Sequence, residues 1–202
     1  MMRSEPNRFN LRRKLLDVLF IVVLGTVSVA LLMAAQSYSA PAVKRFRETR
    51  LATNVLTAAG IPWTQADFRD VFDQRVKEES RGGLTWYAAD SLVIYEFSGR
   101  GLWGVIEGIV TVDSSLDHIV SVRILSQEET PGLGDRIKDA AYLVTYHNKT
   151  AAEPLALAIR HQAEGAGEVD AISGATLSSQ ALVKTISEAT GRLRAARKGG
   201  QP

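Results

Sequence analysis

"WGVIEGIVTVD" (103–113), "SSLD" (114–117) and "HIVSVRILSQ" (118–127) read as strand, turn, strand. Both flanks are rich in Val and Ile, which suit a pleated, half-buried surface, and the connection is short enough for an antiparallel hairpin. Upstream, "LTWYAADSLVIYEFSG" (84–99) predicts two more strands with a turn at Ala89-Asp90. The charged, glycine-bearing stretch 77–83 reads as a loop. "EPLALAIR" (153–160) reads as a last strand, and residues 132–146 as a short helix. "SSQALVKTISEATGRLRAARK" (178–198) sets Leu182, Ile186, Ala189 and Leu193 on one stripe, with Arg192, Arg194, Arg197 and Lys198 at the end where cations suit the helix dipole. Strands in a run, flanked by helices and without regular alternation, predict an α+β domain with a largely antiparallel sheet.

Two helices are expected ahead of the sheet. Residues 43–59 carry Val43, Phe46, Leu51, Val55, Leu56 and Ala59 at roughly helical spacing, closed by Gly60 and Pro62. Residues 64–76 form the second, with Thr64 as its cap and Asp67 in its first turn.

Before these lies "VLFIVVLGTVSVALLMAA" (18–35), a stretch without charge that is long enough to cross a bilayer. Its length favours a retained anchor over a cleaved signal peptide, whose apolar core is about 7–15 residues. Arg3, Arg8, Arg12, Arg13 and Lys14 precede it, which places the N-terminus in the cytoplasm. Lys44, Arg45, Arg47 and Arg50 follow on the other side and weaken that asymmetry. The expected organisation is a cytoplasmic N-terminus (1–14), a transmembrane helix (15–36), a helical connector (37–62) and an extracytoplasmic domain (63–202).

Composition removes several chemistries. The chain has 202 residues and no cysteine, so disulfides, iron–sulfur clusters and thiolate zinc sites are excluded. His118, His147 and His161 lie far apart in sequence and do not read as metal ligands. The formal net charge is +2 and the basic residues gather near the ends, so no nucleic-acid partner is expected.

Three stretches stand out as candidate sites. "DAISGATLSS" (170–179) packs hydroxyls around Gly174 at the start of the long helix. Unpaired N–H groups and the positive dipole end favour an anion there. Ser173, Thr176 or Ser178 acting as a simple helix cap fits the same residues. "EETPGLGD" (128–135) reads as a turn, with Pro131 presetting φ and Gly132 accepting a positive one. "GRGLWG" (99–104) is either a hairpin turn bearing a core Trp or a wall beside a flat ligand.

The order "GLWG", "ETPGLG", "D-x-x-SGAT-x-S" resembles the RnfG/NqrC family, the FMN-binding subunits of two membrane electron-transfer complexes: the Rnf complex and the sodium-pumping NADH:quinone oxidoreductase. The likeness spans roughly residues 11–195 and includes "LTAAGI" (56–61). It implies FMN held covalently through a phosphoester on Thr176, in a protein of the bacterial inner membrane whose domain is periplasmic. It implies Asp170 as part of the segment read by a separate flavin transferase, or as an orienting group. No histidine, lysine or cysteine lies within six residues of Thr176 to activate its hydroxyl, which is consistent with an external enzyme. The resemblance further implies that Ser173, Gly174, Ala175, Leu177, Ser178 and Ser179 surround the phosphodiester. Glu129, Thr130, Pro131, Gly132, Leu133, Leu102 and Trp103 would line the isoalloxazine, with Glu128 and Glu129 opposing reduction by their charge. The expected role is a redox carrier within an ion-translocating complex, with companion subunits and the bilayer as partners. No catalytic residue and no metal are expected. The two complex types stay unseparated, and an anchored binding module or a stand-alone flavin reductase are the alternatives.

Overall fold

The structure, a computed structural model, describes residues 8–199. It divides into two compact units, one up to Arg50 and one from Leu51 onward. In the first, the helix is apolar and its side chains from Arg12 are exposed almost throughout. The two helices expected at 18–35 and 43–59 are a single one, α1 (Arg8–Ala58), which runs through Pro41. A proline removes one hydrogen bond of the ladder, and a long helix tolerates that single loss.

The second unit is built on a five-stranded antiparallel meander: β1 (Lys77–Arg81), β2 (Leu84–Ala89), β3 (Leu92–Arg100), β4 (Val105–Asp113) and β5 (Ile119–Ser126), in sequence order. The β4–β5 hairpin forms as read, Val110 opposite Val122, with bulges at Glu107/Gly108 and Thr111/Val112. Residues 77–81 are not loop but the edge strand. Lys77 pairs with Ala88 and Arg81 with Leu84 around a two-residue turn in which Gly82 and Gly83 both have positive φ. The Gly-Gly pair was the available hairpin signal. The strand itself carries no apolar alternation because neither of its faces is buried.

Period two sorts the sheet residues onto two faces. Trp86, Val93, Tyr95, Phe97, Val110 and Val112 pack with Leu182, Ile186, Ala189 and Leu193 of the long helix α4 (Thr176–Lys198). Tyr87, Ile94 and Ile109 face the other way, onto Val55, Leu56 and Ala58 at the end of α1 and onto Phe68, Val71 and Phe72 of α2 (Phe68–Arg75). The α2 helix is shorter than expected. Asp67 accepts the Thr64 N–H at 2.6 Å, so Thr64 opens a turn rather than the helix. That hydrogen bond, made to the ionised carboxylate, is what lowers the pKa of Asp67.

The stretch 153–160 gives only β6 (Ala156–Ala158). Its partner is a later strand, β7 (Glu168–Asp170), paired in parallel as a separate two-stranded sheet. The apolar run there is short, and β7 has too few residues to show a period. Between the sheets, Gly134–Lys138 and Val144–Tyr146 are short 3₁₀ turns flanking α3 (Ala140–Leu143).

The helix α4 lies close on the sheet because Gly99 leaves room for it: a Cβ there would overlap Oγ1 of the buried Thr185. At its far end Arg194 donates to the Leu116 carbonyl and to Asp117 Oδ1, both at 2.6 Å, clamping the helix to the β4–β5 turn.

Two outcomes follow from this packing. Gly99→Ala destabilises the domain by about 1–3 kcal/mol through overpacking, and Thr185→Ala in the same chain restores part of the loss, as urea unfolding of the detergent-solubilised protein will read. Burial raises the Tyr87 pKa to about 12 and also raises those of Tyr142 and Tyr146. The folded state therefore keeps these phenols protonated after the unfolded chain has released its protons. Stability is fully present below pH 10 and falls as pH rises from about 10 toward 12. Phenolate absorbance that follows a single unshifted pKa near 10 would refute this.

Candidate functional site

The three candidate stretches converge on one buried carboxylate. Glu129, 4% exposed, lies just after β5. Its Oε1 accepts the Leu102 N–H at 2.8 Å and the Trp103 N–H at 3.2 Å, both from the β3–β4 loop. Its Oε2 accepts the Ser178 hydroxyl of α4 at 2.6 Å. Gln127 Oε1 in turn accepts the Glu129 N–H at 2.6 Å. Among the described residues no cation pairs with this carboxylate, so three dipolar donors replace its water.

Glycines make the space. A Cβ at Gly101 would overlap Glu129 Oε1, and one at Gly104 would overlap Glu128 Oε2. One at Gly134 would fall 2.6 Å from Ser178 Oγ and 2.9 Å from Glu129 Oε2. Read along the chain these glycines looked like flexible turn positions, but in the fold they are the walls of a carboxylate cradle.

Two turns stand next to it. In Thr130-Pro131-Gly132-Leu133 the Leu133 N–H reaches the Thr130 carbonyl at 3.2 Å and Gly132 has φ +75°. Asp135 Oδ1 accepts the Gly132 N–H at 2.7 Å. In Ile172-Ser173-Gly174-Ala175 the Ala175 N–H reaches the Ile172 carbonyl at 2.9 Å and Gly174 has φ +81°. Both have the Gly at the third position that a type II turn demands. They abut: a Cβ on Gly174 would sit 3.8 Å from Leu133 Cδ2.

The helix start is not capped by a side chain. Ser179 works backwards instead, accepting the Ile172 N–H at 3.1 Å and donating to the Ala175 carbonyl at 3.0 Å. It thereby ties the turn to the first coil of α4. Arg136, which sequence reading passed over, donates to the Ser173 carbonyl at 3.4 Å and borders a cleft of about 290 Å³ with Asp139, Tyr142, Ile172 and Ser173. The Tyr142 hydroxyl lies 3.4 Å from that of Tyr146 in an edge-on aromatic pair. Asp170 turns away from the 172–175 turn, its Oδ1 accepting the Ala163 N–H at 2.6 Å.

The side chains left facing outward differ in kind from those turned in. Ser178, Ser179 and Ala175 are buried, whereas Leu102, Trp103, Leu133 and Leu177 are 46%, 72%, 53% and 59% exposed. Ser173 and Gly174 are exposed with Thr130, Pro131 and Gly132, and Thr176 is half-buried as the first residue of α4. Among the described residues no hydrogen bond engages the Thr176 hydroxyl. Large exposed apolar side chains beside an unused hydroxyl at a positive helix end suit a flat apolar group joined to a phosphate.

Residues 101–191 match the family described as "FMN-binding domain". The RnfG protein of the ion-translocating oxidoreductase complex of Methanosarcina acetivorans is 30% identical over 130 residues, covering 61% of this chain and 66% of that protein. Its Cereibacter sphaeroides counterpart is 32% identical over 128 residues, covering 60% and 55%. The NqrC protein of the Na(+)-translocating NADH-quinone reductase of Pasteurella multocida is 30% identical over 149 residues, covering 71% and 54%. The chain belongs to the RnfG/NqrC family. It spans between about half and two thirds of the length of these relatives. The NqrC crystal structures from Shewanella oneidensis (TM-score 0.59, 21% identity, 73% of this chain and 97% of that one) and Parabacteroides distasonis (0.61, 18%, 75% and 93%) share its fold. The segment matched by the family model opens at Gly101, beside the Glu129 cradle, and extends along most of α4.

Removing the hub tests this geometry. Glu129→Ala leaves two backbone donors and one hydroxyl without their acceptor and lowers stability by about 2–4 kcal/mol. Trp103 emission should shift as its loop is released. Glu129→Gln keeps a carbonyl oxygen for both N–H groups and should lose clearly less. Equal losses for the two variants, read by denaturant unfolding, would contradict the role given to the carboxylate.

Proposed function

We propose that this chain is a membrane-anchored electron carrier holding FMN through a phosphoester on Thr176, within an ion-translocating oxidoreductase complex of the Rnf or sodium-pump type. The observation that carries the reading is the unengaged Thr176 hydroxyl at the start of α4, beside the exposed Leu133 and Leu177. The apolar helix of residues 15–36 anchors the chain in the bacterial inner membrane and the C-terminal domain faces the periplasm. Companion proteins of the same complex supply donor and acceptor.

FMN bound here would supply reversible electron transfer, and the chain's own residues would position it. Leu102, Trp103, Leu133 and Leu177 offer apolar surface for the ring. Ser173, Gly174 and the first N–H groups of α4 lie where the phosphodiester would be. Glu129 holds the wall loop and α4 together from behind and has no free oxygen toward the group. Ser178 and Ser179 likewise serve the scaffold. Arg136, close to Ser173, adds positive charge on the attachment side.

Attachment needs a second enzyme, because nothing adjacent to Thr176 is placed to take its proton. A flavin transferase using FAD would break the pyrophosphate bond, join the FMN phosphorus to the threonine oxygen, and release AMP and the hydroxyl proton. A covalent link suits a shallow, solvent-facing site, since a group so exposed would otherwise be lost by dissociation.

The test is co-expression of the full chain with a flavin transferase, followed by a denaturing gel and peptide mass spectrometry. The expected result is a fluorescent band whose peptide spanning residue 176 carries one FMN less one water. Thr176→Ala should abolish the band with a change in stability of at most about 1 kcal/mol, since Thr176 makes no cap bond. A bare peptide, beside a control flavoprotein that the same transferase loads, would overturn the proposal.

A further inference from the structure

The N-terminal unit carries a second pattern that the carrier role does not use. Between Lys14 and Lys44 the only charged residue is Asp17. Both cations lie on one unbroken helix, and at 1.5 Å per residue they stand about 45 Å apart along its axis. A bilayer measured through its headgroups is about 40–45 Å thick.

The fit extends to the residues between. With the midpoint at Val29, the hydrocarbon edges, about 15 Å to either side, fall near Leu19 and Ser39. Tyr38, 90% exposed, lands at that edge, where rings with a polar tip accumulate. Asp17 and Pro41 fall symmetrically about 18 Å from the midpoint, outside the hydrocarbon. Thr26 and Ser39, polar residues in or at the edge of the slab, donate to the carbonyls of Val22 and Ala35 at 2.8 and 2.9 Å, so neither hydroxyl needs water.

The cations beyond Pro41 are distributed in a telling way. At about 100° per residue, Lys44, Arg45, Arg47 and Arg50 point to about 0°, 100°, 300° and 240° around the axis. They form a collar and not a face. A protein partner docks on one side of a helix, whereas a headgroup layer surrounds it. The collar contains a single acid, Glu48, whose contact with Lys44 is long at 3.9 Å and highly exposed. Arg50 lies over the Phe46 ring, 5.8 Å from its centre. Long basic side chains reach back along the helix to a phosphate level below them.

We propose that Lys44, Arg45, Arg47 and Arg50 bind the phosphates of anionic phospholipid headgroups in the leaflet at the C-terminal side of the membrane span, fixing the depth of the helix. This rests on α1 being a membrane span. Polybasic segments flanking a span attract anionic lipid, and salt weakens the attraction.

The experiment uses the full chain in nanodiscs of phosphatidylcholine mixed with phosphatidylglycerol, with native mass spectrometry reading the lipid retained. Wild type should hold phosphatidylglycerol several-fold above its bulk fraction, and the excess should fall as salt is raised. The variant carrying K44Q, R45Q, R47Q and R50Q should lose about half of that excess, the remainder belonging to Arg12, Arg13 and Lys14, whose glutamine variants remove it. Unchanged enrichment in the collar variant, or none in wild type, overturns the proposal. Extraction of wild-type protein by alkaline carbonate would instead refute the span itself, and the collar with it. Flavin loading of the collar variant by the transferase reports that its domain is intact.

Discussion

The Glu129 carboxylate is the point through which three distant stretches of this chain are held in one place. Its oxygens take two backbone donors from the β3–β4 loop and one hydroxyl from α4. A buried carboxylate that lost these donors would be costly, so the arrangement is close to all-or-none. That constraint fixes the positions of Leu102 and Trp103 relative to the start of α4. It also explains why Gly101 and Gly134 have no side chain, since a methyl group at either would displace the carboxylate or its serine partner. The exposed surface of the site is thus the outer skin of a buried polar knot.

The scaffold behind the knot is simpler. A meander of local hairpins makes a sheet whose two faces are both buried, one by α4 and one by the end of α1 with α2. Helix α4 is fastened at both ends: by Ser178 and Ser179 near its start and by Arg194 on the β4–β5 turn. A helix so held presents Thr176 at a fixed point without any cap from its own side chain. Hydroxyls that the sequence offered as phosphate ligands are spent on this anchoring. What remains outward is a short list: a threonine oxygen, a glycine in the left-handed region, and leucines and a tryptophan with little cover. Such a site has little to retain a ligand by contact alone, which is why a covalent bond makes physical sense here.

Much was legible in the chain itself. The β4–β5 hairpin, the β2–β3 pair, the amphipathic α4 and the charge-free anchor all follow from local periodicity, because each buries one face or stripe that repeats at its own period. The Pro131-Gly132 turn and the Gly174 turn also follow locally, because φ is set by residue type. The order of three motifs identified the family before any coordinate did. Edge strand β1 escaped reading because both of its faces are wet, and β6 and β7 because three residues show no period. The break expected between the anchor and the next helix rested on Pro41 and a run of small polar residues. The helix ladder absorbs one missing donor, so no break occurs.

Sequence alone determined the fold class, the span and the segment that bears Thr176, since these depend on patterns within one stretch. Only tertiary structure decided which hydroxyls face in and which face out, and that Glu129 is a structural hub with both oxygens occupied. The reason is that hydrogen bonds between residues 49 positions apart, such as Ser178 to Glu129, leave no trace in the spacing of either segment. A carboxylate, a serine and a glycine look alike on the page whether they meet a ligand or each other.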